Sequence, residues 1–234
     1  MSASHPRSVQ YAFVLIPRFQ PLTLGRAPEP FSDPDYLFEI KWDGFRALVR
    51  IEHGKCRLIS RKGNELKSFR VLKESLLSEL KVQSAVFDGE IVCLNDEGKP
   101  KFRDLLHRRS EPRFVAFDLI WFNGQDLTYA PLTERKHKLR SILPASSERI
   151  MYCDHVEGDG EGLFRLACDN DLEGIVAKRK FDPYLPDQAS WLKIRNTNYS
   201  QWEGREELFH REREADPDMS LWDECVRACD DVSV

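Results

Sequence analysis

Charged residues at the ends and on the faces of predicted strands are the candidates for chemistry in this 234-residue chain. Lys41 follows the apolar run in FEIKWDGFRA and precedes an Asp43-Gly44 turn. A lysine amine attacks an electrophile only when it is unprotonated, so a nucleophilic lysine needs neighbouring positive charge or burial to lower its pKa. The common alternative is a surface lysine at a strand end. The hypothesis that Lys41 is a nucleophile therefore depends on whether other cations lie at comparable positions.

Other cations do occur at comparable positions. Lys178 ends the predicted strand EGIVAK, and Lys193 and Arg195 alternate along WLKIR, which directs both side chains to one face. Each residue by itself is typical of a solvated strand. Together with Arg46 and Arg61 they predict a cluster that faces a polyanion such as a triphosphate.

Two glutamates interrupt apolar strands and belong to the same pattern. Glu90 lies in VFDGEIV and Glu173 in LEGIVAK. An unpaired carboxylate is costly to bury, so each needs a partner. Two interpretations remain open: each glutamate pairs with a lysine on a strand face, or one accepts a hydrogen bond from a hydroxyl while the other is a Mg²⁺ ligand, since Mg²⁺ prefers one or two carboxylates plus phosphate oxygens.

Alternating and helical hydrophobic patterns predict the elements that position these residues. The mixture predicts an α+β fold with antiparallel sheets flanked by a few helices. Strands are expected over 36–41, 45–52, 56–60, 84–95, 113–122, 146–155, 173–179 and 190–196, and helices over 69–80, 102–109, 131–143 and 162–168.

The chain divides into three segments by composition. Residues 1–35 are expected to be an irregular, proline-rich lead-in, residues 36–199 the domain, and residues 200–234 a charged, helical tail too short for a further domain. The formal net charge of −4 argues against a strongly basic nucleic-acid-binding chain, although a local basic face remains possible. The six cysteines lack a zinc-ribbon spacing. Neither a signal peptide nor a membrane-spanning run is present in the sequence, which favours a soluble intracellular protein without a membrane partner.

The order of the motifs is more informative than any one of them. KWDGFR, SRKGNE, FDGEIV, FVAFDLIWFNG, EGIVAK and WLKIR follow one another between about residues 17 and 196. This series resembles the adenylation domain of ATP-dependent DNA ligases, and in particular the ligase module of bacterial end-joining ligases. The superfamily also contains RNA ligases and capping enzymes. The resemblance implies a covalent nucleotidyltransferase (ATP-grasp-like) fold. It also implies an enzyme that uses ATP, acts on nicked or broken duplex DNA in repair, and works in the bacterial cytosol near the nucleoid.

The resemblance assigns a role to each matching residue. Lys41 would attack the α-phosphorus of ATP, expel pyrophosphate and carry AMP. Glu39 would read the adenine amino group, and Phe117 would stack on the base. The remaining roles are contacts with the sugar, the phosphates and a metal. Arg46 would contact the ribose and phosphate, Arg61 the nick phosphate or nucleotide, and Glu90 the ribose hydroxyl. Glu173 would bind Mg²⁺ or Mn²⁺, while Lys178 and Lys193 would bind the α-phosphate and help to keep Lys41 unprotonated. Arg195 stands where the family usually has a lysine.

The residues after WLKIR differ from the family pattern, because no five-strand OB-fold is visible there. Three hypotheses follow: a compact, monomeric ligase in which the tail or lead-in replaces that domain, a ligase that obtains an OB-fold from a separate repair partner, or a nucleotide- or DNA-binding module without turnover. RNA ligase also stays open as an alternative to DNA ligase, whereas a capping enzyme is disfavoured by the KWDG and FDLIWFNG sequences.

Overall fold

The computed structural model describes residues 15–186 and 191–202 of the chain. They form two β-sheets and four α-helices, in the α+β arrangement that the sequence predicts. The strands are β1 Leu24–Arg26, β2 Asp33–Ile40, β3 Phe45–Glu52, β4 Lys55–Ser60, β5 Ser84–Val92, β6 Arg113–Phe122, β7 Gln125–Asp126, β8 Ile150–Tyr152, β9 His155–Gly158, β10 Gly174–Arg179 and β11 Trp191–Arg195. The helices are α1 Arg70–Glu79, α2 Phe102–Leu106, α3 Leu132–Ile142 and α4 Gly160–Asp169.

The first sheet has five strands in the order β1-β11-β10-β2-β9. All of its pairs are antiparallel except β1 with β11. Val176 of β10 lies opposite both Glu39 of β2 and Lys193 of β11. Because cross-strand neighbours share a face, the charged positions of three strands lie on one side of this sheet.

The second sheet contains six strands, in the order β4-β3-β5-β6-β7 with β8 parallel to β6. Arg46 of β3 lies opposite Glu90 of the central strand β5. Long apolar stretches in β3, β5 and β6 are buried, as expected for strands covered on both faces.

Three hydrophobic layers hold the two sheets and the helices together. The layer between the sheets joins Leu37 and Trp191 of the five-stranded sheet to Leu48 and Ile120 of the six-stranded sheet. A second layer packs α1 and α2 on the outer face of the six-stranded sheet. A third packs α4 on the outer face of the five-stranded sheet. The charged faces of both sheets therefore point toward each other.

Two local predictions differ from the structure. The single strand predicted over 146–155 is wrong: β8 and β9 belong to different sheets, and Cys153-Asp154 carries the chain between them. The lead-in is not wholly irregular either, because Leu24–Arg26 pairs with β11 and β2 already begins at Asp33. The domain boundary at residue 36 stays a prediction, and the predicted tail helices lie outside the described residues.

Among the residues that the structure describes, no helix combines the length and the apolar character needed to cross a membrane.

Candidate active site

Lys41 lies where the chain leaves one sheet for the other, directly after β2 and before β3. Its backbone N–H donates to the Gly174 carbonyl at 2.9 Å, which ties this crossover to the start of β10. The crossover needs Gly44, because a Cβ there would lie 2.1 Å from the Ile91 carbonyl oxygen. Asp43 is buried and accepts a hydrogen bond from the Tyr199 hydroxyl at 2.9 Å. The Asp-Gly turn is therefore a packed element that fixes the position of the lysine.

The Lys41 side chain pairs with Glu173, which directly precedes β10. Lys41 Nζ lies 2.5 Å from Glu173 Oε1, with side-chain exposures of 20% and 4%. Glu173 is positioned by the next residue, Gly174. The φ of Gly174 is +139°, a value that disfavours a side chain, and a Cβ added there would lie 2.1 Å from the Ile194 carbonyl oxygen. Of the two interpretations of Glu173, the structure displays the pairing with a lysine, and that lysine is the predicted nucleophile.

Glu90, on β5 of the six-stranded sheet, also interacts electrostatically with Lys41. Burial raises the pKa of its carboxyl to about 8, and Glu173 adds to that rise, while Lys41, Arg46 and Arg61 oppose it. Lys41, Glu173 and Arg61 are therefore all within electrostatic reach of Glu90, and we call these four residues the Lys41 cluster. Arg61 follows β4 in an exposed turn, where a substrate phosphate would be accessible to it.

Glu39 lies two residues before Lys41 and belongs to a second group of charges. One of its carboxylate oxygens receives a hydrogen bond from Lys136 of α3, and the other is 2.5 Å from Lys178 Nζ. All three side chains are almost completely buried. Burial alone would raise the pKa of Glu39, but attraction to the two lysines outweighs burial and lowers that pKa. Glu39 is therefore an ionised acceptor held from two sides.

Two aromatic rings complete this second group. Lys178 Nζ is 4.4 Å from the centroid of the Phe117 ring and 3.7 Å from that of Trp191. The two rings meet edge to face at 5.7 Å. Burial lowers the pKa of Lys178, although Glu39 opposes that shift. We call Glu39, Lys136, Lys178, Phe117 and Trp191 the Glu39 cluster.

The structure thus divides residues that the sequence analysis grouped together. Lys178 was expected beside Lys41 at the α-phosphate, but its ammonium contacts Glu39 and the two rings instead. A role for Lys178 at the phosphate stays a prediction.

Arg46 makes contacts that its sequence position did not reveal. Its guanidinium donates two hydrogen bonds to Asp88, at 3.1 and 2.7 Å, and one to the Leu22 carbonyl at 2.7 Å. The hydroxyl of Tyr184 donates to the same aspartate at 2.6 Å. Arg46 therefore has a structural role between the sheets, and its predicted contact with a ribose and phosphate stays a prediction.

Lys193 and Arg195 lie on the β11 face that also carries Trp191. Lys193 is opposite Arg26 of β1, so the edge of the five-stranded sheet adds one cation that the sequence analysis did not select. The Arg195 guanidinium lies 5.1 Å from the ring centroid of Trp202. These cations border the two clusters on the inner face of the sheet.

Helix α3 supplies two buried charged residues of the candidate site that sequence reasoning missed. Arg135 is fully buried and makes a two-point hydrogen bond with Asp118, both contacts at 2.8 Å. Lys136 is buried beside it. The sequence does contain an indication of this burial. The buried stripe of a helix has a characteristic spacing, and it is occupied here by Leu132, Arg135, Lys136 and Leu139. A run of cations on the apolar stripe indicates buried ion pairs rather than a solvated basic face.

The metal prediction rests on Glu173 alone. Within residues 15–186 and 191–202, no group of three or more His, Cys, Asp or Glu side chains could hold a metal ion by itself. Such an arrangement still fits Mg²⁺, which keeps several waters and takes phosphate oxygens from its substrate. A buried carboxylate beside the predicted phosphate site is the donor that this chemistry requires.

Comparisons with known proteins show which family the chain resembles. Residues 24–195 match the family model described as ATP dependent DNA ligase domain. The chain is 32% identical over 190 residues to the SPbeta prophage-derived DNA ligase-like protein LigB of Bacillus subtilis, covering 77% of this chain and 68% of that protein. It is 34% identical over 167 residues to the multifunctional non-homologous end joining DNA repair protein LigD of Mycobacterium tuberculosis, covering 70% of this chain but only 22% of that protein.

A solved structure agrees in fold. The chain superposes on mycobacterial DNA ligase D complexed with ATP and MES with a TM-score of 0.67 and 28% sequence identity, covering 76% of this chain and 60% of the other. The chain thus spans about a fifth of LigD and three fifths of its solved ligase structure.

Proposed function

The chain belongs to the ATP-dependent DNA ligase domain family, and on that premise we propose that it forms a covalent AMP adduct on Lys41, transfers the AMP to a 5′-phosphate end of DNA and seals the break. The observation that carries this proposal is the placement of Lys41. It lies at a packed crossover between two charged sheet faces, paired with Glu173 and within electrostatic reach of Glu90, which Arg61 also approaches.

The first step joins the amine to the nucleotide. The lone pair of Lys41 Nζ attacks the α-phosphorus of ATP, a P–N bond forms, the bond to the bridging oxygen breaks, and pyrophosphate leaves with the electron pair. The attacking nitrogen must first give up a proton, which would leave to solvent because the Lys41 side chain is 20% exposed.

Cations around Lys41 would stabilise the charge that develops on the phosphate oxygens. Arg61 is exposed beside Glu90, and Lys193 and Arg195 lie on the inner face of the neighbouring sheet. We propose Mg²⁺ or Mn²⁺ at Glu173, where such an ion would neutralise phosphate charge. Glu90, protonated near neutral pH because its pKa is raised to about 8, can donate a hydrogen bond to a ribose hydroxyl oxygen.

The Glu39 cluster would hold the base. The ionised carboxylate of Glu39 accepts hydrogen bonds only, which matches the amino group of adenine. Phe117 borders the same place and would stack on the base. Val176, opposite Glu39 in the sheet register, offers an apolar wall.

The test is the mass of the intact protein after incubation with ATP and Mg²⁺. A gain equal to one AMP is expected for the wild type and no gain for Lys41→Ala, whose fold should be preserved because the side chain is partly exposed. Wild-type protein that takes up no AMP from ATP and also fails to seal pre-adenylated DNA would contradict the proposal.

The substrate and the assembly are proposals of the same kind. We propose nicked or broken duplex DNA as the substrate, a monomer as the active form, and the cytosol, near the nucleoid, as the location. Matched nicks in DNA and in RNA separate the DNA ligase from an RNA ligase. Sealing of a DNA nick by the purified chain alone would contradict an obligatory partner that supplies an OB-fold.

A further inference from the structure

Lys136 is a buried cation at a junction of three elements. From α3 its ammonium donates to the Glu39 carboxylate in β2 and, at 3.0 Å, to the carbonyl of Cys153 in the crossover after β8. It also lies 4.6 Å from the ring centroid of Tyr152. A lysine at 2% exposure is costly unless its donors are matched, and here a carboxylate, a carbonyl and an aromatic face match them.

The two lysines of the Glu39 cluster hold the Glu39 carboxylate in one orientation and keep it ionised. Lys136 engages one carboxylate oxygen and Lys178 the other. Each oxygen keeps a further lone pair, so the group can still accept a hydrogen bond. A purine with a 6-amino group donates at this position, whereas a purine with a 6-oxo group presents an acceptor and would face an ionised carboxylate.

We propose that Lys136 is a specificity-determining residue: it holds Glu39 as a fixed, ionised acceptor, so that the site takes 6-aminopurine nucleotides and rejects 6-oxopurine nucleotides. The inference rests on the proposed function, because it assumes that Glu39 faces the base. Lys136 acts through Glu39 and is a positioning residue.

The charge of Glu39 depends on the groups that surround it. These are Lys136 from α3, Lys178 from β10, His155 opposite it on β9, and the side chains of Tyr152 and Cys153 at the end of β8. Burial and Lys136 lower the pKa of His155 from 6.5, and burial raises the pKa of the Cys153 thiol to about 12 and that of Tyr152 above its usual 10.0. Between pH 6.5 and 7.5, therefore, His155 is mostly neutral, Tyr152 and Cys153 are neutral, and the carboxylate keeps its charge.

The experiment compares ATP with inosine triphosphate, which carries a 6-oxo group in place of the 6-amino group. The affinity of each nucleotide is measured by equilibrium titration of the full chain between pH 6.5 and 7.5, without Mg²⁺ so that Lys41 takes up no AMP. For the wild type we expect a preference for ATP that does not change with pH. For Lys136→Gln we expect the preference for ATP to fall about tenfold or more, because the Glu39 carboxylate is then less strongly held in its orientation and binds a proton more readily.

The loss in Lys136→Gln should also depend on pH. With one cation fewer, Glu39 binds a proton more readily, and a protonated carboxyl can donate to a 6-oxo group. The preference of the variant should therefore shrink further as the pH falls. Lys136→Arg, which retains the charge, should restore much of the preference, and Lys138→Gln on the same helix, whose ammonium lies over the Phe122 ring instead, should match the wild type.

Three outcomes would overturn the inference. One is a Lys136→Gln variant with the wild-type preference at every pH. Another is a preference of the wild type for ATP that itself changes with pH over this range. This second outcome can be measured even if the Lys136→Gln variant does not fold. The third is a folded Lys136→Arg variant that discriminates no better than Lys136→Gln. Because nucleotide binding does not require transfer, missing AMP on Lys41 with a normal preference in binding would contradict the proposed function alone.

Discussion

The Glu39 cluster and the Lys41 cluster carry similar residue types but differ in exposure and in how their charges are matched. In the Glu39 cluster two lysines share one carboxylate at 2% exposure and lie against aromatic rings. In the Lys41 cluster the lysine is 20% exposed, and Arg61 lies in an exposed turn. Buried ion pairs tolerate the loss of a partner badly, whereas exposed ones contribute little to stability. Loss of a charge in the Glu39 cluster should therefore matter first for stability and selectivity. In the Lys41 cluster, where Glu173 is buried but Lys41 and Arg61 reach water, the same loss should matter first for rate.

The largest effect is expected where a buried pair is broken. Arg135→Met leaves Asp118 as an uncompensated buried charge next to the Glu39 cluster, and the free energy of unfolding should fall by about 3–5 kcal/mol. Urea denaturation measures this change. Arg140→Met, on the exposed side of the same helix, should stay within about 0.5 kcal/mol of the wild type. Equal small losses in both variants would remove the distinction between the buried and exposed charges.

In the Lys41 cluster the same kind of change should affect rate instead. Glu173→Gln removes the charge that pairs with Lys41 and the proposed metal ligand, so AMP transfer to Lys41 should slow by about 10²–10³-fold. Its free energy of unfolding should change by only about 1 kcal/mol, because Lys41 retains access to water. Single-turnover formation of the adduct, followed by mass, gives the rate. A rate within threefold of the wild type would contradict the role given to Glu173.

Glu90 should make stability depend on pH. Its pKa is about 8 in the folded chain against an ordinary value of 4.5, so between these values the folded state binds more protons than the unfolded state. The contribution of Glu90 to stability is therefore complete below about pH 4.5 and is lost as the pH rises toward 8. Unfolding free energies measured at pH 5.5 and 8.5 should show Glu90→Gln gaining on the wild type as the pH rises. A constant difference would contradict the raised pKa.

The smallest effect is expected at the crossover that carries Lys41. Tyr199→Phe removes one hydrogen bond to the buried Asp43, and the free energy of unfolding should fall by about 1 kcal/mol. Adduct formation should slow severalfold, because the lysine follows the position of this turn. Tyr129→Phe, at 78% exposure, is the matched control and should change neither quantity. A Tyr199→Phe variant as fast and as stable as the wild type would show that the turn holds Lys41 without that bond.

Sequence reasoning succeeded where the pattern is local. Alternation in FRALVRIE and RFVAFDLIWF predicted β3 and β6 with their observed bounds, and the Lys41 and Glu173 motifs do meet in the structure. It failed over 146–155, because a short apolar run does not indicate that its two halves join different sheets. It also did not select the cations Arg135 and Lys136 of α3, although their spacing placed both on the buried stripe.

By itself the sequence determined the family and the strand faces, since both depend on the order of short motifs and on a period of two residues. Only the tertiary structure decided which acid pairs with which base. Lys136 is 97 residues from Glu39, and Tyr184 is 96 residues from Asp88. A local pattern carries no information about contacts at such separations. Those contacts are selected when the two sheets close, because each buried charge must then find an oppositely charged partner within hydrogen-bonding distance.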